Sequence, residues 1–329
     1  LDVVYRALAA LACGVPCGAA AAQPVATNLA GTLAIPAPPA AFNPLYASNR
    51  ALAANGFPRR PDALRAPEAF GVWRMAMLSV RHRIVPSLAR TRMRHNPMQY
   101  SSNWSGAALT DLAVKWEPGS FKSIWAVYTV PTVVRPAGSC SGWRYSSEWA
   151  GLDGYLTSDV VQAGVEADGY CGSNGGFSAS YTAWYEWYPD YSINITNFAI
   201  NPNDKIVVIV AADSATEASY YVEDETTGDY VSLQSAAPPG TLYVGNSAEW
   251  ITERPEVNNK LSTLADYGQE TYNAYAFDTG GNMSEPGAPA WLVASQLMTM
   301  LDNNNHPISV PSLPSASQVT TAVTGSAKQ

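Results

Sequence analysis

The sequence predicts an all-β protein, an antiparallel two-sheet β-sandwich carried behind a basic N-terminal region. Three observations predict it. From Ser101 onward the 329-residue chain breaks into short apolar-alternating runs separated by Gly, Pro, Asn and Asp, the pattern of many strands joined by turns. That part offers no amphipathic helix of ten or more residues, with 290–301 the one ambiguous stretch. Apolar residues make up 47% of the chain and charged residues only 14%. That fills a sizeable core and leaves charge well below the usual quarter or so.

Taken in order, the chain starts with Arg6 and an Ala-rich apolar stretch that ends in AAAAQP. A basic residue, a short apolar core and small residues before a polar exit describe a signal peptide, expected over residues 1–23. The apolar core is too short and too broken by Gly and Pro for a membrane span, so no membrane contact is expected once it is removed. Residues 24–98 are rich in Ala, Pro and Arg, and segments such as AIPAPPAAFNP break long regular elements. A helix is expected near 72–88, ending before Pro86 or restarting after it. Composition changes abruptly at 99–100, and 99–329 is the expected sandwich. Its clearest strands are 123–130, 180–188, 205–211, 218–224 and 248–253, each with a period of two and β-branched or aromatic residues. After Asn303 the Ser/Pro/Thr-rich tail keeps enough Val and Thr for a final strand.

Charge divides the chain at the same place. Residues 1–98 hold 11 of the 19 Lys and Arg against three acids, whereas 99–329 hold 8 basic and 24 acidic residues. An acidic folded part repels phosphate, so no nucleic-acid partner is expected. Of four cysteines, Cys13 and Cys17 fall in the expected signal peptide. Cys140 and Cys171 are left as an exported pair, which favours one disulfide.

Several chemistries lack their parts. The three histidines are His82, His95 and His306, and none falls on an expected strand that could hold the base of a Ser or Cys nucleophile. There is no HExxH, no paired Cys/His spacing and no phosphate or dinucleotide loop, so neither metal nor cofactor is expected. The triplet DTG at 278–280 matches the aspartic peptidases, but that chemistry needs two facing aspartates. No second DTG or DSG exists.

What remains is a group of carboxylates and aromatics. In VVQAGVE, alternation puts Gln162 on one face with Val160. In YTAWYEWYP, Thr182, Trp184, Glu186 and Tyr188 share a face, a carboxylate among aromatics whose pKa burial would raise. In SAEWITERP, Glu249, Ile251 and Glu253 lie opposite Ala248, Trp250 and Thr252. Singly, each reads equally well as a satisfied core amide or a solvated rim glutamate. They make a site only where those faces line one cleft.

Six segments in order, SSNWSGA (101–107), YTVPTV (128–133), EWAGLDG (148–154), VVQAGVE (160–166), YTAWYEWYP (181–189) and SAEWITERP (247–255), resemble the glutamic peptidases. These are acid endopeptidases also called eqolisins, and the closer resemblance is to their bacterial branch. The resemblance runs from about residue 100 to the end. It implies a concanavalin-like jelly roll of two long antiparallel sheets, with a cleft along one concave face. It implies a dyad of Gln162 and Glu253, with Glu249 the other candidate for the glutamate. Glu253 would be the general base that activates water, and Gln162 would stabilise the oxyanion. Asn103, Trp104, Trp149, Asp153, Glu166, Trp184, Glu186 and Tyr188 match positions that line or support the cleft.

The activity so implied is pepstatin-insensitive hydrolysis of polypeptides in acid, by a secreted monomer (extracellular or periplasmic) made as a zymogen. Residues 24–98 would then be an inhibitory pro-segment, with Arg81, His82, Arg83, Arg90, Arg92, Arg94 and His95 as its contacts to the acidic cleft. The composition change places the maturation cut within 94–100. Two departures from fungal members stand out: the stretch between LDG and QAG is one residue shorter, and Thr182 stands where they can carry an acid. Two other readings stay open: an aspartic-type peptidase using Asp278, and a non-catalytic carbohydrate-binding sandwich.

Overall fold

A computed structural model of the protein describes residues 22–78, 81–97, 102–111, 121–290 and 293–325. The expected signal peptide lies almost wholly outside the described residues, as does the 98/99 boundary. The N-terminal part forms helices α1 (Asn49–Ala54) and α2 (Pro67–Leu78). It also forms five short strands, β1 (Val25–Ala26), β2 (Thr32–Ala34), β3 (His82–Arg83), β4 (Leu88–Arg90) and β5 (Met93–Arg94). Helix α2 therefore starts and stops earlier than the expected 72–88. It opens on Pro67, which lacks only an N–H that the first turn leaves unpaired, and carries Glu68 in its first turn, where the helix dipole favours an acid. By His82 the chain has already left helical geometry to pair alongside Asp229 and Tyr230, and Pro86 keeps the residue before it extended.

The rest is strand. In order come β6 (Trp104–Asp111), β7 (Phe121–Thr129), β8 (Gly142–Arg144), β9 (Ser147–Leu152), β10 (Val160–Cys171), β11 (Phe177–Tyr188) and β12 (Ile193–Ile195). Then follow β13 (Lys205–Ala212), β14 (Glu217–Asp224), β15 (Asp229–Ala236), β16 (Ser247–Glu253), β17 (Glu256–Val257) and β18 (Lys260–Leu261). The last are β19 (Gln269–Asp278), β20 (Met283–Ser284), β21 (Val293–Met298), β22 (Met300–Leu301), β23 (Pro307–Ser315) and β24 (Gln318–Val323). From Val293 the ambiguous stretch 290–301 thus supplies strands β21 and β22, and the tail supplies two strands rather than one.

These strands build the expected antiparallel sandwich. The back sheet runs β1-β2-β15-β14-β13-β7-β19-β24-β23-β22, and the front sheet runs β21-β6-β16-β9-β10-β11-β12-β4. A small third sheet, β18-β17-β5, sits beside them. Between the two large sheets lies one core, which includes Val161, Ala163 and Val165 of β10, Val208 and Val210 of β13, Tyr220 and Val222 of β14, and Trp250 of β16. Trp250 Nε1 donates to Trp125 O at 2.8 Å across the layers, so the largest inward side chain is also hydrogen-bonded. A disulfide joins Cys140 and Cys171.

The N-terminal region is built into both sheets rather than set apart from them. β1 and β2 extend the back sheet, and β4 closes the edge of the front sheet. The helices cover the outer face of the back sheet. Leu52, Phe57, Trp73 and Met77 pack there against Val127, Val207, Ile209 and Tyr221.

Candidate active site

The outer face of the front sheet is laid out in rows. Residues paired across neighbouring strands point to the same side, and the side-chain period is two. One row is Trp104, Glu253, Ser147, Glu166 and Thr182. The next is Ile251, Trp149, Gly164 and Trp184, and the third is Glu249, Gly151, Gln162 and Glu186. Residues between them in sequence, such as Val161, Ala163 and Trp250, face the inter-sheet core. Alternation along five strands thus gathers one glutamine, four glutamates and three tryptophans on one surface.

Two glycines make this surface possible. A Cβ at Gly164 would lie 2.2 Å from Glu148 O and 2.6 Å from Trp149 Cβ. At Gly151 it would lie 2.8 Å from Trp149 Cζ3 and 3.1 Å from Gln162 Cβ. Sequence reading missed both, although Gly164 stands two residues from Gln162 and so shares its face.

Across this surface runs the chain that precedes β6. β5 pairs with β17 through Arg94 with Glu256 and Met93 with Val257, while Ser192 N donates to Met93 O at 3.0 Å. Held from both sides, the chain drives His95 into the surface until it is fully buried. The imidazole stacks on Trp184, ring centroids 3.6 Å apart and planes 7° off parallel. Its Nε2 lies 2.5 Å from Glu166 Oε1 and its Nδ1 lies 2.8 Å from Glu186 Oε2. His95 N also donates to Glu186 Oε2, at 2.9 Å. Burial by itself would push the imidazole down, but Glu166 and then Glu186 outweigh it and raise His95 to about 10. It is therefore an imidazolium with a carboxylate on each nitrogen. Burial raises Glu186 above the ordinary carboxyl range, even against the hydrogen bonds and charge of His95.

Gln162 and Glu253 face the backbone of the same segment. Gln162 Nε2 donates to His95 O at 2.6 Å and lies 3.3 Å from Glu186 Oε2. Asn103 Nδ2 donates to Asn96 O at 3.2 Å, to Pro97 O at 3.4 Å and to Glu253 Oε1 at 3.1 Å. Trp149 Nε1 donates to the other oxygen, Glu253 Oε2, at 3.0 Å, and Trp104 packs edge-on against Trp149 with centroids 4.9 Å apart. Burial holds Glu253 well above the ordinary carboxyl range, while the His95 charge and the Asn103 hydrogen bond pull it back. Asn96 Nδ2 reaches Glu256 Oε2 at 3.2 Å, a partner that no motif in the sequence announced.

The remaining predicted residues support the surface from further off. Asp153 does not face the segment; its carboxylate accepts from Val244 N, Gly245 N and Asn246 N at 2.8, 2.8 and 3.0 Å. It thereby fixes the loop that leads into β16. Burial raises Asp153 to about 7 against those backbone bonds. Glu249 is fully buried and burial keeps it well above the ordinary range, with Asp153 adding to the shift. Tyr188 is half-buried and packs at the rim of the cluster formed by Trp104, Trp149 and Trp184.

Of the basic residues expected at this surface, only His95 touches its carboxylates. Arg81 pairs with Glu223 at 3.5 Å, and Arg83 donates to Ile35 O, Pro36 O and Asn55 O. His82 and Arg90 face Asp229 and Asp190, and Arg94 lies over the Tyr191 ring. The reason is local: each of these five has a nearer acid, carbonyl or ring. Asp278 ends β19 at the turn that follows, where it accepts from Asn282 N at 2.8 Å and Asn282 Nδ2 at 2.7 Å. It stands on the back sheet, away from the surface that carries Gln162. Among the described residues, no group of three or more His, Cys, Asp or Glu is arranged to hold a metal ion. Nor is any helix there long and apolar enough to cross a membrane.

Comparisons with known proteins match most of the strand region. The model of the Peptidase A4 family matches residues 102–322. Aspergillopepsin-2 of Aspergillus niger is 34% identical over 205 residues, spanning 57% of this chain and 68% of the relative. Scytalidopepsin B of Scytalidium lignicola is 28% identical over 204 residues, spanning 62% and 71%. The crystal structure of scytalido-glutamic peptidase with a transition state analog inhibitor superposes with a TM-score of 0.55 at 25% identity. It covers 69% of this chain and all of that one.

Proposed function

The chain belongs to the Peptidase A4 family, the glutamic-type acid endopeptidases, and on that premise we propose that Gln162 and Glu253 are its catalytic pair. A non-catalytic binding module is thereby set aside, and Asp278 is a turn residue. The observation that carries the proposal is the hydrogen bond from Gln162 Nε2 to a peptide carbonyl, His95 O, at 2.6 Å. An amide N–H aimed at that oxygen is what an oxyanion needs as the carbonyl carbon becomes tetrahedral. Glu253, as carboxylate, takes a proton from the attacking water and returns it to the leaving nitrogen. Asn103 and Trp149 each hold one of its oxygens, which fixes its orientation for that transfer. Glu249 is the poorer choice, because its row places it about 13 Å along the strand from Glu253, beside Asp153 rather than beside the bound backbone. Burial raises Glu253, while His95, Asn103 and Trp149 favour its carboxylate form.

Residues 24–98 are read as an inhibitory pro-segment. The support is that His95 fills the surface that a substrate must use, and that a basic region lies against an acidic domain. Burial raises Glu186, so acid neutralises that partner of the buried His95 cation and weakens the hold, since a buried charge is costly without its counterion. The segment's hold on the site then loosens in acid. Secretion is proposed from the signal-like pattern of residues 1–23 and from the disulfide, which persists in oxidising compartments. A monomer suffices, since one chain supplies every side chain of the site. The short LDG–QAG stretch and Thr182 favour the bacterial branch.

The test is hydrolysis of denatured casein between pH 2 and 7 by wild type, Glu253→Gln and Gln162→Ala, with and without pepstatin. The expected result is acid-limited, pepstatin-resistant cleavage. Glu253→Gln should lower it by about 10²–10⁴-fold and Gln162→Ala by about 10²–10³-fold. Cleavage that survives both substitutions would move the chemistry to another pair.

A further inference from the structure

We infer that the peptide bond between His95 and Asn96 is the one this enzyme cuts to mature, and that the pocket around the His95 ring selects histidine on the acyl side of a scissile bond. The inference rests on the Gln162/Glu253 reading and names the substrate of that same site.

The register of the bound segment singles out one bond. Its carbonyls meet donors that differ along the segment. Arg92 O accepts from Asn258 N and Met93 O from Ser192 N, both backbone groups at the edges. His95 O accepts from Gln162 Nε2 at 2.6 Å, the donor assigned to the oxyanion. Asn96 O accepts from Asn103 Nδ2 at 3.2 Å, and that nitrogen also holds Glu253 Oε1. The bond from the His95 carbonyl carbon to the Asn96 nitrogen is thus bracketed by the oxyanion donor and by the amide that positions the base. Among the described residues, no other carbonyl of the segment accepts from Gln162.

The side chain is gripped as closely as the backbone. Trp184 offers a flat face to the ring, and Glu166 and Glu186 meet its two nitrogens from different strands. Asp168, two residues beyond Glu166, and Glu253 are the other carboxyls whose charge His95 feels. A planar cation with a donor on each edge matches this arrangement. A lysine head is a point charge on a flexible stem and cannot stack. A phenylalanine stacks but leaves two buried carboxyls without partners.

The cut balances without any further reactant. Water adds its oxygen to the His95 carbonyl carbon and gives a proton to Glu253, while the carbonyl oxygen takes up charge under Gln162 Nε2. The C–N bond then breaks as Glu253 returns the proton to the Asn96 nitrogen. The products are a carboxyl on His95 and a new amino terminus at Asn96. Because Trp104, eight residues on, already pairs with Glu253, the bond is delivered by its own chain.

Two arms test this. The precursor is brought to pH 4 at two concentrations, and its first new amino terminus is read by sequencing and intact mass. The expected terminus is Asn96, formed at a concentration-independent rate, and absent in Glu253→Gln. Separately, mature enzyme is given the peptide TRMRHNPMQY, which is residues 91–100, and its His95→Ala form. The histidine peptide should be cut between His and Asn with kcat/KM about 10–100-fold above the alanine peptide, the range lost with charge-assisted hydrogen bonds. That ratio should collapse towards one in Glu166→Gln and in Glu186→Gln. Casein hydrolysis with a first cut elsewhere, or with equal rates on the two peptides, overturns the inference and leaves the proposed function standing. An enzyme that hydrolyses neither casein nor peptide overturns both.

Discussion

The N-terminal region grips the sandwich at two places, and the two grips differ in kind. On the back sheet Leu52, Phe57, Trp73 and Met77 bury apolar surface against Val207, Ile209 and Tyr221, with the Arg81–Glu223 ion pair alongside. On the front sheet a single imidazolium sits between Glu166 and Glu186. Burial of apolar area has no proton to lose, whereas an ion pair with carboxylates ends when they protonate. Acid can therefore open the front while the back still holds. The segment uncovers the site without leaving the molecule, which keeps His95 and Asn96 within reach of Gln162 and Glu253.

The largest effect that sharpens this contrast belongs to the back. Trp73 is almost fully buried and donates from Nε1 to Pro58 O at 3.2 Å. Trp73→Ala should destabilise the precursor by about 3–5 kcal/mol, by the same amount in urea melts at pH 4 and pH 7. A loss confined to pH 7 would mean that the back grip titrates as well. Next comes the front. His95→Ala at pH 7 should lower hydrogen-exchange protection of residues 93–97 by about 10–100-fold, as expected for lost charge-assisted bonds, and leave α2 as protected as before. If α2 loosens equally, the two grips are one cooperative unit and the contrast fails.

A third pH response must be separated from that of the front. Glu148 and Glu270 are buried on the core side of the site, and burial holds both well above their ordinary value, with the charge of Glu270 adding to the shift of Glu148. A carboxyl raised on folding contributes stability that is complete below its unfolded value of 4.5 and lost as pH rises through the folded value. Stability should therefore fall from pH 4 towards neutrality. Glu270→Gln should flatten that slope by about 1.4 kcal/mol per pH unit, measured by melts across pH. An unchanged slope would show that Glu270 ionises in the folded core.

How much of this was legible in the sequence follows from range. Alternation is local, so the strands of 180–188, 205–211 and 248–253 and the shared face of Glu249, Ile251 and Glu253 could be read directly. What covers that face could not. His95 meets Glu166 and Glu186 across 71 and 91 residues of chain, and no local pattern encodes such a pairing. The Ala/Pro/Arg-rich region likewise gave no sign that β1, β2 and β4 join the two sheets, since two- and three-residue strands carry no period. Asp153 was legible as a conspicuous acid of the LDG turn. Its job, accepting three backbone N–H groups before β16, depends on a loop about 90 residues later.

The smallest prediction bears most directly on what kind of grip the front is. Arg94 stands next to His95, but its guanidinium lies 4.0 Å over the half-buried Tyr191 ring at the rim. Such a contact is worth about 0.5–1 kcal/mol, so Arg94→Ala should lower protection of residues 93–97 by only about two- to fivefold. A guanidinium keeps its charge in acid and an aromatic face does not titrate, so this loss should be the same at pH 4 and pH 7. The effect of His95→Ala should instead shrink in acid, as Glu186, raised by burial, loses its charge. Two neighbouring cations would thus respond oppositely to acid because one is paired with carboxylates and the other with a ring. If Arg94→Ala matched His95→Ala at both pH values, the hold would come from the general attraction of a basic segment for an acidic domain. The pair of carboxylates would then have no special part in it.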